Sequence, residues 1–154
     1  MVKLPYDAFK KVGLPSVCDI DCNGKKVIVR VDFNVPLKGG KVADDTRIKH
    51  ALPTIKCLLD KNAKIILMSH LGRPKGEGYQ ADFSLRTVAD YLSKLLEEDG
   101  IFASDITGQE AKTKVDALQD GQMLLLENLR FDTREKKNAD DFAKALASFA
   151  AYYV

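Results

Sequence analysis

Three short runs of continuous apolar residues constrain this chain most: KKVIVRVDF at 25–33, IILMS at 65–69 and MLLLE at 123–127. None alternates apolar with polar side chains along its middle, so none can set one face on a core and the other in water. Runs of this kind are strands buried on both faces, which a parallel sheet covered on each side by helices provides.

The segments between them carry helical spacing. Asp44, Asp45 and Thr46 offer helix-start chemistry, and Ile48, Leu52, Ile55 and Leu59 then form one stripe. Pro53 lies inside that stripe and is expected to kink or split the helix. Ser84 is positioned to cap a helix whose apolar face is Leu85, Val88, Leu92 and Leu95. Further helices are expected at 109–118 and 139–149, a short strand at 101–104 and the start of another at 151–154. Residues 75–83, KGEGYQADF, read as a loose loop. The predicted fold is α/β: a Rossmann-like three-layer sandwich, with a parallel sheet between two layers of helices.

With 154 residues, 45% hydrophobic and 30% charged, the chain has the size and composition of one globular domain with a core. A net charge of +2 gives no general attraction to nucleic acid or to anionic membrane, so any basic patch must be local. No apolar run approaches a membrane span, and the start, MVKLPYDAFKKVGLP, lacks the apolar core of a secretory signal. The three cysteines, Cys18, Cys22 and Cys57, complete no metal set and are expected as reduced thiols of a cytoplasmic protein. On the helical stripe, Cys57 is expected to fill core space.

Ligands of open parallel sheets sit beyond the carboxyl ends of the strands. The first strand runs into Asp32-Phe33-Asn34, the second into His70-Leu71-Gly72-Arg73, and the third into Glu127-Asn128-Leu129-Arg130; Arg47 starts the helix after the first. Arg47, Arg73 and Arg130 supply forked donors suited to carboxylate or phosphate. His70 can donate to the same anion. Asp32 and Asn34 suit a hydroxyl. Backbone N–H groups near Gly72 add to the anion field. The implied ligand is small, doubly anionic and hydroxylated.

Each residue alone has a plainer explanation. Asp32 can cap a turn, and Asn34 precedes Val35-Pro36, where a turn is expected. Lys136-Lys137 fits a solvated face. The segment GEGYQA at 76–81 matches a dinucleotide pattern, but HLGRPK separates it from its strand and Glu77 stands where a pyrophosphate would approach. No Walker-type phosphate loop is present.

The segments VIVRVDFNVPL, DDTRI, ALPTIK, SHLGRP and LLLENLRF, in this order, resemble the N-terminal domain of the phosphoglycerate kinase family from about Asp19 to Val154. The resemblance implies a Rossmann-like fold. It also implies phosphoryl transfer between 1,3-bisphosphoglycerate and ADP, giving 3-phosphoglycerate and ATP, in a cytoplasmic glycolytic enzyme expected to be a monomer. It gives Asp32 and Asn34 the hydroxyl end of the acid. Arg47 lies near the carboxyl or acyl-phosphate end and, as the catalytic residue, stabilises the charge on the transferred phosphoryl. His70, Arg73 and Arg130 grip the other phosphate, the backbone of Phe33, Leu71 and Gly72 belongs to the same loops, and Arg30 supports the patch from behind.

The family chain is more than twice as long and continues with NDAFGTAHR, which carries a further phosphate-binding arginine. Residues 1–154 are therefore expected to be a partial, 3-phosphoglycerate-binding domain. The nucleotide domain that binds Mg-ADP or Mg-ATP would be missing, leaving no metal or cofactor site. Such a fragment is expected to be inactive alone and prone to self-association through an unpaired sheet edge. A noncatalytic anion-binding or interaction fragment is the alternative.

Overall fold

The computed structural model describes residues 13, 15–75, 77–98 and 101–154. The expected lack of a signal at the N-terminus falls mainly outside them. Strand β1 (Lys26–Arg30) leads into a hairpin, β2 (Leu37–Lys38) and β3 (Lys41–Val42), and then helix α1 (Thr46–Asp60). Strand β4 (Lys64–Met68), helices α2 (Arg86–Leu96) and α3 (Gln109–Ala117) and strand β5 (Met123–Leu125) follow. Helices α4 (Thr133–Lys136) and α5 (Asp140–Ala147) precede β6 (Tyr152–Tyr153).

The main sheet has the order β5-β4-β1-β6, and every neighbouring pair is parallel. Alternate side chains of the buried strands point to opposite faces. Val27, Val29, Ile65, Leu67 and Leu125 pack with Ile48, Ile55 and Leu58 of α1 and Val88 and Leu92 of α2. Ile28, Ile66, Met68 and Leu124 pack with Val115 of α3 and Phe142 and Leu146 of α5. These two cores make the three layers that the apolar runs predict.

Several details differ from the sequence expectations. Pro53 does not split α1, which is one helix from Thr46 to Asp60. Its fully buried stripe is Ile48, Ile55 and Leu58, and that burial outweighs the one hydrogen bond Pro53 cannot make. The strand expected at 101–104 is a single parallel bridge, Phe102 to Leu125. The last helix is shorter than expected and follows a separate turn of helix, α4.

Of the loop expected at 75–83, residues 77–83 are anchored rather than loose. Gly78 N donates to Phe131 O at 2.9 Å, Tyr79 packs edge-on against Phe131, and 81–83 form a 3-10 turn. Cys18 and Cys57 are not two thiols; they form a disulfide with Cα atoms 6.1 Å apart, leaving Cys22 as a buried free thiol. The 3-10 turn at Val17–Asp19 lies against α1, a tertiary proximity that spacing along the chain does not reveal.

Candidate functional site

The chain steps from β1 outward to β4 and β5, then returns to place β6 on the other side of β1. Ligands of open parallel sheets bind beyond the carboxyl ends of the strands. Three loops follow those ends: residues 31–36 after β1, 69–75 after β4 and 126–131 after β5.

Side chains on one loop hold the backbone of the next. Phe33 N donates to Ser69 Oγ at 3.0 Å, and Gly72 N donates to Asn34 Oδ1 at 2.8 Å, joining the first loop to the second. Asn128 joins the second to the third: its Oδ1 accepts from Leu71 N at 3.2 Å and its Nδ2 donates to Leu71 O at 2.8 Å. Arg130 Nη1 donates to Gly72 O at 2.9 Å. Gly72 has φ +62°, and a Cβ there would stand 2.5 Å from Cδ1 of Phe83. Glycine is therefore required twice over, by backbone conformation and by space.

The charged groups converge on this frame. Arg47, the second residue of α1, ion-pairs with Asp32, and both side chains are about half exposed. Arg30 pairs with Glu135 of α4 at 3.1 Å. His70 is partly buried, and burial together with the charge of Arg130 pushes its pKa below the ordinary histidine value. Asp32, Glu135 and Arg30 also act on it electrostatically. Arg130 Nε is buried without a hydrogen-bond partner among the described residues.

The structure thus gathers Asp32, Asn34, His70, Gly72 and Arg130, with Arg47 at the rim. Arg73 is exposed and takes no part in the network. The backbone donors expected to face an anion are used internally: Phe33 N–H goes to Ser69, Leu71 N–H to Asn128 and Gly72 N–H to Asn34. The side chains of Phe33 and Leu71 are buried, so both residues serve as frame.

Sequence reading placed Glu127 and Asn128 at the end of the third strand without giving them a role, and gave none to Ser69. Glu127, 2% exposed, accepts from Ser84 Oγ at 2.7 Å, Leu85 N at 2.8 Å and Asn128 N at 2.7 Å. It thereby fixes the start of α2, where Ser84, one residue before the first-turn boundary at Leu85, accepts from Arg86 N at 3.2 Å and so plays the capping part expected of it. The available signal was a carboxylate and an amide directly following a run of four apolar residues.

Comparison with known proteins agrees with this architecture. The family model described as "Phosphoglycerate kinase" matches residues 17–154. A phosphoglycerate kinase of Nautilia profundicola is 54% identical over 146 residues, covering 94% of this chain and 36% of that protein. One of Clostridium tetani is 48% identical over 151 residues, covering 97% and 37%. The solved structure of phosphoglycerate kinase from Coxiella burnetii superposes with a TM-score of 0.77 at 35% identity, over 88% of this chain and 33% of that one. The chain spans about a third of the length of the curated relatives it matches. Matched over most of its length in sequence and in fold, the chain belongs to the phosphoglycerate kinase family.

Proposed function

We propose that residues 1–154 form the acid-binding part of a phosphoglycerate kinase, holding 3-phosphoglycerate or 1,3-bisphosphoglycerate while a phosphoryl group passes to or from ADP. One observation carries this function: Arg130, whose guanidinium is held by Gly72 O, and His70, which feels its charge, stand together at the carboxyl ends of β4 and β5. Phosphate is the acceptor that a forked guanidinium fits best.

The roles are those that the resemblance to the family implies. Arg130 and His70 hold the nontransferred phosphate, and Arg73, free of internal partners among the described residues, swings onto the same group. Asp32 accepts from the 2-hydroxyl, and the Asn34 amide nitrogen donates at the same end. Arg47 exchanges its contact with Asp32 for the acyl-phosphate end and offsets charge on the phosphoryl in flight. The attacking carboxylate is already ionised at neutral pH, so no general base is required. Catalysis is positioning and charge neutralisation.

Magnesium supplies charge neutralisation on the nucleotide phosphates. Among the described residues no group of three or more His, Cys, Asp or Glu side chains could hold a metal ion, so no step here is assigned to it. We place Mg-ADP and Mg-ATP on the part of the enzyme corresponding to the relatives' further length, and cytoplasmic glycolysis as the setting. By itself the 154-residue polypeptide then binds the acid without turnover. An NMR series with 3-phosphoglycerate, glycerate and inorganic phosphate tests this. The expected result is that phosphate moves the Arg130 and His70 resonances, glycerate those of Asn34, and 3-phosphoglycerate both sets. Equal response to any anion, spread over surface lysines, would overturn it.

A further inference from the structure

We infer that Asn128 is the positioning residue of the phosphate grip: its carboxamide, pinned between three loops, sets where Arg130 stands relative to His70. This rests on the function proposed above only for the identity of the anion; the positioning itself can be read without any ligand.

Asn128 is fully buried, and each hydrogen-bonding capacity of its side chain is used. Oδ1 accepts from Leu71 N at 3.2 Å and from Arg130 N at 3.1 Å. Nδ2 donates to the carbonyls of Leu71 and Phe83, both at 2.8 Å. Two donors and two acceptor sites on one short planar group are what a carboxamide offers and a carboxylate or alkyl group does not. Leu71 is thus held by both its N–H and its C=O, as it would be by a neighbouring strand.

The consequence is a closed ring. Asn128 fixes Leu71; Leu71 leads into Gly72; Gly72 O receives Arg130 Nη1; and Arg130 N returns to Asn128 Oδ1. Phe83, whose carbonyl Asn128 holds, packs in the space that the missing Cβ of Gly72 leaves. Arg130 is therefore gripped at its backbone and at its guanidinium by groups that all refer to one amide. Its Nε is buried and has no hydrogen-bond partner within the described residues.

The test reads His70, whose titration responds to the charges of Arg130, Asp32, Glu135 and Arg30 around it. In NMR titrations of the 154-residue chain, Asn128→Ala is expected to move the His70 midpoint upward, toward its value in Arg130→Ala. Val115→Ala, a core truncation in α3 that removes no hydrogen bond of the network and lowers stability generally, is expected to leave it in place. Affinity for 3-phosphoglycerate is expected to fall about tenfold or more in Asn128→Ala and less than about threefold in Val115→Ala. A folded Asn128→Ala protein with the wild-type His70 midpoint would overturn the inference. If Asn128→Ala does not fold, Asn128→Ser is read the same way, and hydrogen exchange in the unaltered chain decides independently. The Asn128 side-chain amide protons are expected to exchange only on global opening; exchange as fast as that of exposed Gln119 would overturn the inference. Failure of wild-type binding with the expected His70 shift would instead count against the acid-binding function alone.

Discussion

Gly72→Ala isolates the contact on which the second loop depends. Gly72 has φ +62°, a conformation that costs a side-chain-bearing residue about 1 kcal/mol. The new Cβ would also stand 2.5 Å from Cδ1 and 2.6 Å from Cε1 of Phe83. The backbone of Phe83 is held through its carbonyl by Asn128 Nδ2 at 2.8 Å, so relief has to come from rotation of the ring. Overpacking of this kind costs about 1–3 kcal/mol, for a total of about 2–4 kcal/mol. For a chain of this size that is a fall in Tm of about 4–15 °C. Gly40→Ala is the matched control: φ is +70°, yet nothing lies within 4 Å of its Cβ. It is expected to cost about 1 kcal/mol, or about 2–4 °C, from the backbone alone. Differential scanning calorimetry of both variants, with Gly72→Ala in a Phe83→Leu background, separates the two contributions. If Gly72→Ala and Gly40→Ala melt together, the packing of Phe83 on Gly72 does not constrain the loop.

Reducing the Cys18–Cys57 disulfide frees a loop of 39 residues that contains Asp32, Asn34 and Arg47; the chain-entropy model puts this at about 4 kcal/mol, or about 8–15 °C in Tm. Superimposable melting curves with and without reductant would show that the bond does not support the fold. His70 is expected to titrate below the ordinary histidine value, because burial and Arg130 disfavour its charged form. Since the unfolded state then takes up the proton first, stability falls as pH drops from about 6.5 toward the folded midpoint. Bound phosphate favours the charged imidazole, so anion affinity is expected to rise over the same descent, which calorimetry in buffers of differing ionisation enthalpy reads as proton uptake. Glu127→Gln replaces an acceptor of three hydrogen bonds with a group whose NH₂ faces donors, and is expected to cost about 1–3 kcal/mol by urea denaturation. A change under about 0.5 kcal/mol would contradict the assigned bonds.

The sheet was legible because its strands are buried on both faces. An apolar run such as IILM needs no partner information to be recognised, and the polar residues that follow it must lie at a strand end. Arg130 and His70 could be found for that reason. What holds them could not. Asn128 makes its bonds to Leu71 and Phe83, 57 and 45 positions away, and Ser69 makes its bond to Phe33 across 36. Such pairings follow from strand order, which local pattern leaves open. The same limit hid the disulfide between Cys18 and Cys57. Pro53 failed as a helix breaker because burial of Ile48, Ile55 and Leu58 outweighs a local preference. The β2–β3 hairpin was a different omission: Gly39 and Gly40, both with positive φ, are a strong turn signal present in the sequence itself.

Calorimetric titration of the 154-residue chain with 3-phosphoglycerate at low salt, beside Arg73→Ala and Arg130→Ala, tests the acid-binding patch most directly. Saturable binding at one site, weakened in Arg73→Ala and abolished in Arg130→Ala, is the expected result. Absence of binding by a folded wild-type chain, or binding indifferent to both arginines, would contradict it.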